Sequence, residues 1–214
     1  MISPITLGGN TVSVVSLPTP NRLQSLDLSY AAMVATVTSV FTGQVQAQQW
    51  PGADSWSGTA TLPPLTQAQF RSWRAGLMQL EGMANAFQLG DPNGATPAGS
   101  ALGTPVVDGS QSMVAGGINL YTKGWEASQS GLLLPGDYIQ VGYRLHTVLD
   151  EVNSDSSGKA VLHVGPSLRE VPPDGQSIIT TNPVGLFRLA QNKTTWSTDF
   201  SHLTHLSFQF TEYR

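Results

Sequence analysis

The sequence predicts a mainly β fold: a β-sandwich with one flanking α-helix, carrying an inserted small β-barrel. Three observations predict it. Apolar and polar residues alternate with period two in segment after segment. A helical period of three and four occurs once, between two Pro/Gly boundaries. The strand-like segments are separated by Gly, Pro, Asn and Asp clusters typical of tight turns.

Taken in order, Val12 and Val14 fall on one face of a first strand, with Val15 and Leu17 on the other. Residues 26–41 are mostly Leu, Tyr, Ala, Val and Thr, which suit a pleated, half-buried surface. Thr42-Gly43 offers a turn, and Gln44-Val45-Gln46-Ala47-Gln48 alternates as the return strand of a hairpin. A loop from Trp50 to Trp56 follows, then a short strand from Gly58 to Leu62. The helix is expected over 66–82. Thr66 is the N-cap with Gln69 three residues on, a capping box, and Leu65 and Phe70 are placed for a hydrophobic staple. Phe70, Trp73, Leu77 and Leu80 form one apolar stripe, and Gly82 suits the C-terminal cap. Residues 86–89 return to strand.

Asp91-Pro92-Asn93-Gly94 and Pro97-Ala98-Gly99-Ser100 are turn material, so 96–111 is expected as a linker. Residues 112–176 are expected as the inserted small β domain. Its first long strand runs from Tyr138 to Leu149, with Ile139, Val141, Tyr143 and Leu145 on one face and Gln140, Arg144 and His146 on the other. Residues 153–158 make a turn, and 160–164 return. The last segment alternates Leu206, Phe208 and Phe210 with Ser207, Gln209 and Thr211. It is expected to complete the sheet begun by residues 11–62. Residues 1–95 and 177–214 then form one domain, interrupted by the other.

Composition narrows function. Charged residues are 11% of the 214-residue chain, against about 25% in an average soluble protein, and a surface poor in charge suits contact with partners. The net charge is −4, without a basic patch to neutralise phosphates. Residues 1–86 are balanced, Asp27, Asp54 and Glu81 against Arg22, Arg71 and Arg74, so the acidic excess lies in the rest of the chain. No cysteine is present, which excludes disulfides and thiolate chemistry. Neither a signal peptide nor a membrane-spanning run is expected.

No residue is expected to be catalytic and no cofactor or metal is implied. His202 and His205 are three apart in what reads as a loop, without further ligands. His146 and His163 are expected to face each other across a hairpin. Asp150, Glu151, Asn153 and Asp155 are oxygen-rich, as calcium requires, but the run lacks the spacing of a helix–loop–helix calcium loop and is read as turn chemistry. Serines are many, yet no Gly-x-Ser-x-Gly elbow occurs, and Gly8-Gly9-Asn10 does not fit a phosphate loop. Trp50, Trp56 and Trp125 are expected as loop anchors or subunit-contact residues, with sugar stacking as a weaker alternative.

Several segments carry a family resemblance: Trp56 through Leu62-Pro63-Pro64-Leu65, the helix from Phe70 to Leu80, Phe87-Gln88-Leu89-Gly90-Asp91-Pro92, residues 131–142 (Gly-Leu-Leu-Leu-Pro-Gly-Asp-Tyr-Ile-Gln-Val-Gly) and Phe187-Arg188-Leu189. In this order they resemble the distal tail (Dit-like) proteins of siphophages. The resemblance implies a tail-tube-like β-sandwich, six copies in a ring between tail tube and tail-tip hub, and a place in the virion. The implied partners are further copies of the chain, the tube protein and the hub. DNA would be met only in passage, and the inserted domain could recognise a host-surface receptor or glycan. A tail-tube or tail-completion protein of the same fold is the nearest alternative.

Overall fold

The computed structural model describes residues 2–7, 9–18 and 23–214. Gly8 and Arg22 lie outside the described residues. The chain is mainly β, with curled sheets, one of them near-closed and barrel-like, and with one α-helix among the described residues. Its strands are β1 (Ile2–Leu7), β2 (Asn10–Val15), β3 (Ser25–Ala31), β4 (Val34–Thr38), β5 (Val45–Gln49), β6 (Ser55–Thr61), β7 (Ala86–Leu89), β8 (Gly103–Val107), β9 (Asn119–Trp125), β10 (Tyr138–Val141), β11 (Arg144–Val148), β12 (Ala160–Gly165), β13 (Ile178–Ile179), β14 (Gly185–Leu189), β15 (Trp196–Thr198) and β16 (Thr204–Glu212). Helix α1 spans Gln67–Gln79. No helix among the described residues is long and apolar enough to cross a membrane.

Two compact units emerge. The first comprises residues 1–29, 56–91 and 185–214, and the second residues 30–55 and 92–184. The chain therefore leaves the first unit twice, where the sequence suggests one insertion.

The first unit is built on the order β1-β2-β7-β14-β16-β6-β3, with β15 also pairing β16. Strand β2 runs parallel to β7, and β14 and β16 are antiparallel to their neighbours. The last strand does pair with the N-terminal part, Phe208 opposite Ala60 and Phe210 opposite Gly58. Its side chains alternate strictly from Thr204 to Phe210, with Leu206, Phe208 and Phe210 buried. Burying each such side chain contributes about 1.5–3 kcal/mol.

The capping box of α1 is present. The Thr66 side chain accepts from the Gln69 amide and the Gln69 side chain accepts from the Thr66 amide. Phe70, Trp73, Leu77 and Leu80 are buried. The helix stops earlier than expected: Leu80 is the C-cap, and both Glu81 and Gly82 turn to positive φ, at 50° and 67°. Two successive left-handed residues break the helical path before Gly82 can serve as the cap.

In the second unit the sheet order is β13-β10-β11-β12-β9-β8. Two expectations are corrected here. Residues 96–111 are not a linker, because 103–107 form β8, paired with β9. The Asp137 carboxylate orders the turns before it, accepting from the amides of Ala98 at 2.7 Å and Gly99 at 3.1 Å as well as Leu134 at 2.8 Å. Residues 138–149 are not one strand but a hairpin, Val141 opposite Arg144. Gly142, with φ of 60°, opens its two-residue loop, where L residues are strained and glycine is not. Apolar alternation continues across the turn and hides it in the sequence. The core of this unit is aliphatic, including Leu120, Leu132, Leu133, Ile139, Leu162 and Val164, with Trp125 as its one tryptophan.

Candidate functional site

Strands β4 and β5 form a two-stranded sheet that pairs with no other strand among the described residues. Their register is regular, from Val34 opposite Gln49 to Thr38 opposite Val45. The turn is closed by Ser39 N–H to the Gln44 carbonyl at 2.8 Å and Gly43 N–H to the Ser39 carbonyl at 2.9 Å. Every residue of both strands is exposed. The half-buried surface expected for 26–41 is therefore absent from β4, since no second layer covers either face. Val37 is 68% exposed, and Val40 and Phe41 at the tip 91% and 96%. No charged residue occurs between Asp27 and Asp54. A long exposed hairpin with free edges and no charge lacks the devices by which soluble proteins prevent edge pairing.

The base of this hairpin is held by hydrogen bonds within the second unit. Asp54 is buried and accepts from the Ser167 amide at 2.7 Å, from the Ser167 hydroxyl in a short bond, and from the Tyr30 hydroxyl at 3.2 Å. Ser167 Oγ in turn accepts from the Gly52 amide at 2.9 Å. Arg169 Nη2 donates to the Asp54 carbonyl at 3.0 Å. Burial raises the Asp54 pKa, but the Ser167 and Tyr30 donors outweigh it and hold the carboxyl below its ordinary value. Burial, then the Asp54 charge, push the Tyr30 hydroxyl up.

His146 lies beside this cluster, buried, with Nδ1 donating to the Pro166 carbonyl at 2.7 Å. Burial pushes its pKa down to about 4; the Pro166 carbonyl and Asp54 oppose the fall, while Arg144 and Arg169 add to it. Arg144 Nε is 3.7 Å from Glu170. The residue types of a serine hydrolase thus come together, but in another order. Ser167 donates to the aspartate itself, and the imidazole donates to a backbone carbonyl. General-base activation of a serine needs the imidazole between the two. This arrangement instead fastens Ser167 and Arg169 to residues 52–54 at one end of the hairpin, and Tyr30 at its other end to Asp54.

The other sequence candidates separate. Trp50 stands at the end of β5, 56% exposed. Trp56 is buried in β6, its amide donating to Glu212 at 3.2 Å. Trp125 is a core side chain whose Nε1 donates to Thr122 Oγ1 at 2.7 Å. His146 and His163 do not face each other: the register puts Val148 opposite Val164, so His146 falls opposite Pro166. His163 pairs instead with Asp150 at 2.6 Å. The oxygen-rich run points several ways. Asp155 accepts from Ser157 and Lys159 in its own turn, and Asn153 accepts from the Gly131 amide. His202 adopts φ of 60° in the turn before β16, and His205 lies 3.5 Å from Asp199.

Sequence reasoning misses the Asp54–Ser167–Arg169 clamp, whose partners are more than a hundred residues apart. It finds the hairpin but not its exposure; the charge-free stretch between Asp27 and Asp54 is the available signal. No family model and no curated protein matches this chain.

Proposed function

We propose that the protein is a structural subunit of a phage tail tip, a distal-tail-type protein that works by assembling with copies of itself into a ring and not by catalysis. The observation that carries this reading is the hairpin β4–β5. It offers two free edges and exposed Val34, Val37, Val40, Phe41 and Val45, without a charge to oppose self-association. Copies joined through such hairpins would bury these side chains and satisfy the open edges. The tail-tip assignment rests in addition on the ordered motifs from Trp56 to Leu189, and the ring would sit between tail tube and hub with DNA passing through.

The test is the subunit's place and number in purified particles by cryo-electron microscopy. One ring of six at the tail tip is the expected result. Copies stacked along the whole tail would make it a tube protein, and absence from the particle would sink the virion reading. In solution, Val37→Lys with Phe41→Lys is expected to abolish self-association seen by sedimentation velocity while leaving far-ultraviolet circular dichroism unchanged.

A further inference from the structure

We propose that a cationic pocket on the α1 face of the first unit receives carboxylates from the acidic second unit of another copy, forming a head-to-tail contact. This rests on the self-assembly reading above. The pocket is a cavity of about 530 Å³ with Arg71 and Arg74 of α1 on one wall and Thr198, His202 and Thr204 on the other. Arg71 and Arg74 are three residues apart on the helix and so share a face. Arg74 is held in place, its guanidinium carbon 5.9 Å from the centroid of Phe70, whose ring packs against Trp196 at 5.4 Å. A guanidinium resting on an aromatic face keeps its N–H fork directed outward for a planar anion. The Thr198 and Thr204 hydroxyls, 3.1 Å apart, add polar groups on the far wall. Among the described residues, no acidic side chain lines the cavity. The nearest in sequence, Asp199, is occupied by the Leu203 amide at 3.0 Å and by His205.

The distribution of charge names the occupant. Among the described residues, the first unit has five basic and five acidic residues; the second has four basic and nine acidic. A chain with a small cationic pocket on one unit and a strongly acidic other unit is complementary to itself in the heterologous sense, one patch meeting a different patch, as a closed ring needs. Glu126 and Glu151 are exposed carboxylates of the acidic unit and fit the role. Arginine forks bind carboxylates in two parallel hydrogen bonds, which fixes register as well as charge.

Sedimentation velocity of the full chain tests this. Wild type is compared with Arg71→Glu/Arg74→Glu, with Arg71→Lys/Arg74→Lys, and with Glu126→Lys/Glu151→Lys. Circular dichroism and amide exchange check that each variant is folded. The glutamate pair is expected to weaken assembly at least about tenfold, the lysine pair much less, and raised salt to weaken wild type but not the glutamate pair. Mixing the Arg→Glu and Glu→Lys variants is expected to restore assembly. Should the glutamate pair assemble like wild type, the pocket inference falls while the ring reading stands. Loss of assembly in the hairpin variant but not here would mean the same. A wild type that is monomeric at every concentration would sink both. If the glutamate pair instead loses affinity for duplex DNA with assembly intact, the pocket serves phosphates and the inference is overturned.

Discussion

The two units of this chain are stabilised by different chemistry. In the first, aromatic rings fill the core: Phe87 lies 5.9 Å from Phe208, 6.3 Å from Phe210 and 6.4 Å from Phe187, and Phe187 lies 5.0 Å from Phe210. In the second the core is Leu, Ile and Val around one tryptophan, and the charge is concentrated outside it. There Lys159 pairs with Asp108 at 2.8 Å and Lys123 with Asp174 at 2.7 Å. Among the described residues, the lysine–carboxylate pairs lie in the second unit. The first unit should therefore respond mainly to changes in shape, the second to changes in proton concentration.

The largest effect is expected from Phe87→Ala. Phe87 is fully buried and touches three rings, so truncation leaves a cavity and costs about 3–5 kcal/mol. Amide exchange should accelerate in β14 and β16 and stay unchanged in β10 and β11. Equal acceleration in both units would mean that the two unfold as one block.

Acid is expected to act on the other unit. His146 has a folded pKa near 4, below its ordinary 6.5. Its neutral form is the one the fold accommodates, so the stability it contributes is complete above pH 6.5 and is lost as pH falls towards 4, because the unfolded chain takes up the proton first. The shift corresponds to about 3 kcal/mol. Asp54, Asp108, Asp155 and Asp174 are also held below the usual carboxylate range, Asp108 chiefly by Lys159 and Asp174 by Lys123. Their contribution is present above about pH 4 and disappears as pH falls further. The first unit has Asp199 shifted in the same direction, held down by the Leu203 amide. Urea unfolding at pH 7 and pH 5, followed by exchange in each unit, should show the second weakening more. His146→Gln should flatten that difference between pH 6.5 and 4.

How much of this is legible in the sequence follows from the range of the interactions. Local signals are clear: Thr66 and Gln69 announce the start of α1, and the alternation from Leu206 to Phe210 announces a half-buried strand. Gly142 is also legible as a turn residue, but Val141 and Tyr143 on either side of it continue an apolar pattern that overrides it. The turn residues of 91–100 suggest a linker because nothing nearby reveals that Asp137 will collect their amides. The same holds for the hairpin base, where Asp54 meets Ser167 only after the chain has folded. Exposure of β4 and β5 depends on the absence of a second layer, and strand propensity does not report that.

Asp137→Asn tests what orders residues 96–111. The substitution keeps one carbonyl acceptor but replaces the other oxygen with a donor facing the backbone amides that the carboxylate bound. A loss of about 1–3 kcal/mol is expected, confined to the second unit. Exchange at Ala98, Gly99 and Leu134 should rise first, with β8 following. Were β8 to stay protected, its pairing with β9 would suffice to order residues 96–111, and Asp137 would be incidental.

The smallest effect is expected at the helix start. Thr66→Ala removes the oxygen that accepts from the Gln69 amide, and with it the group that Gln69 Oε1 meets at 2.9 Å. The hydrogen bond from the Gln69 amide is long, 3.5 Å, so the cost should sit near the middle or low end of the N-cap range, about 1 kcal/mol. Thr66→Ser should be close to neutral, because the hydroxyl is what acts. Gln69→Ala should cost less than Thr66→Ala, since it removes only the reciprocal half of the box. The loss belongs to the first unit: the midpoint of the aromatic core should shift while exchange in β9 to β12 does not. A change of a few tenths of a kcal/mol is the background for an exposed site, so a Thr66→Ala value no larger than that would show that packing of Phe70, Trp73 and Leu77 alone fixes where the helix begins.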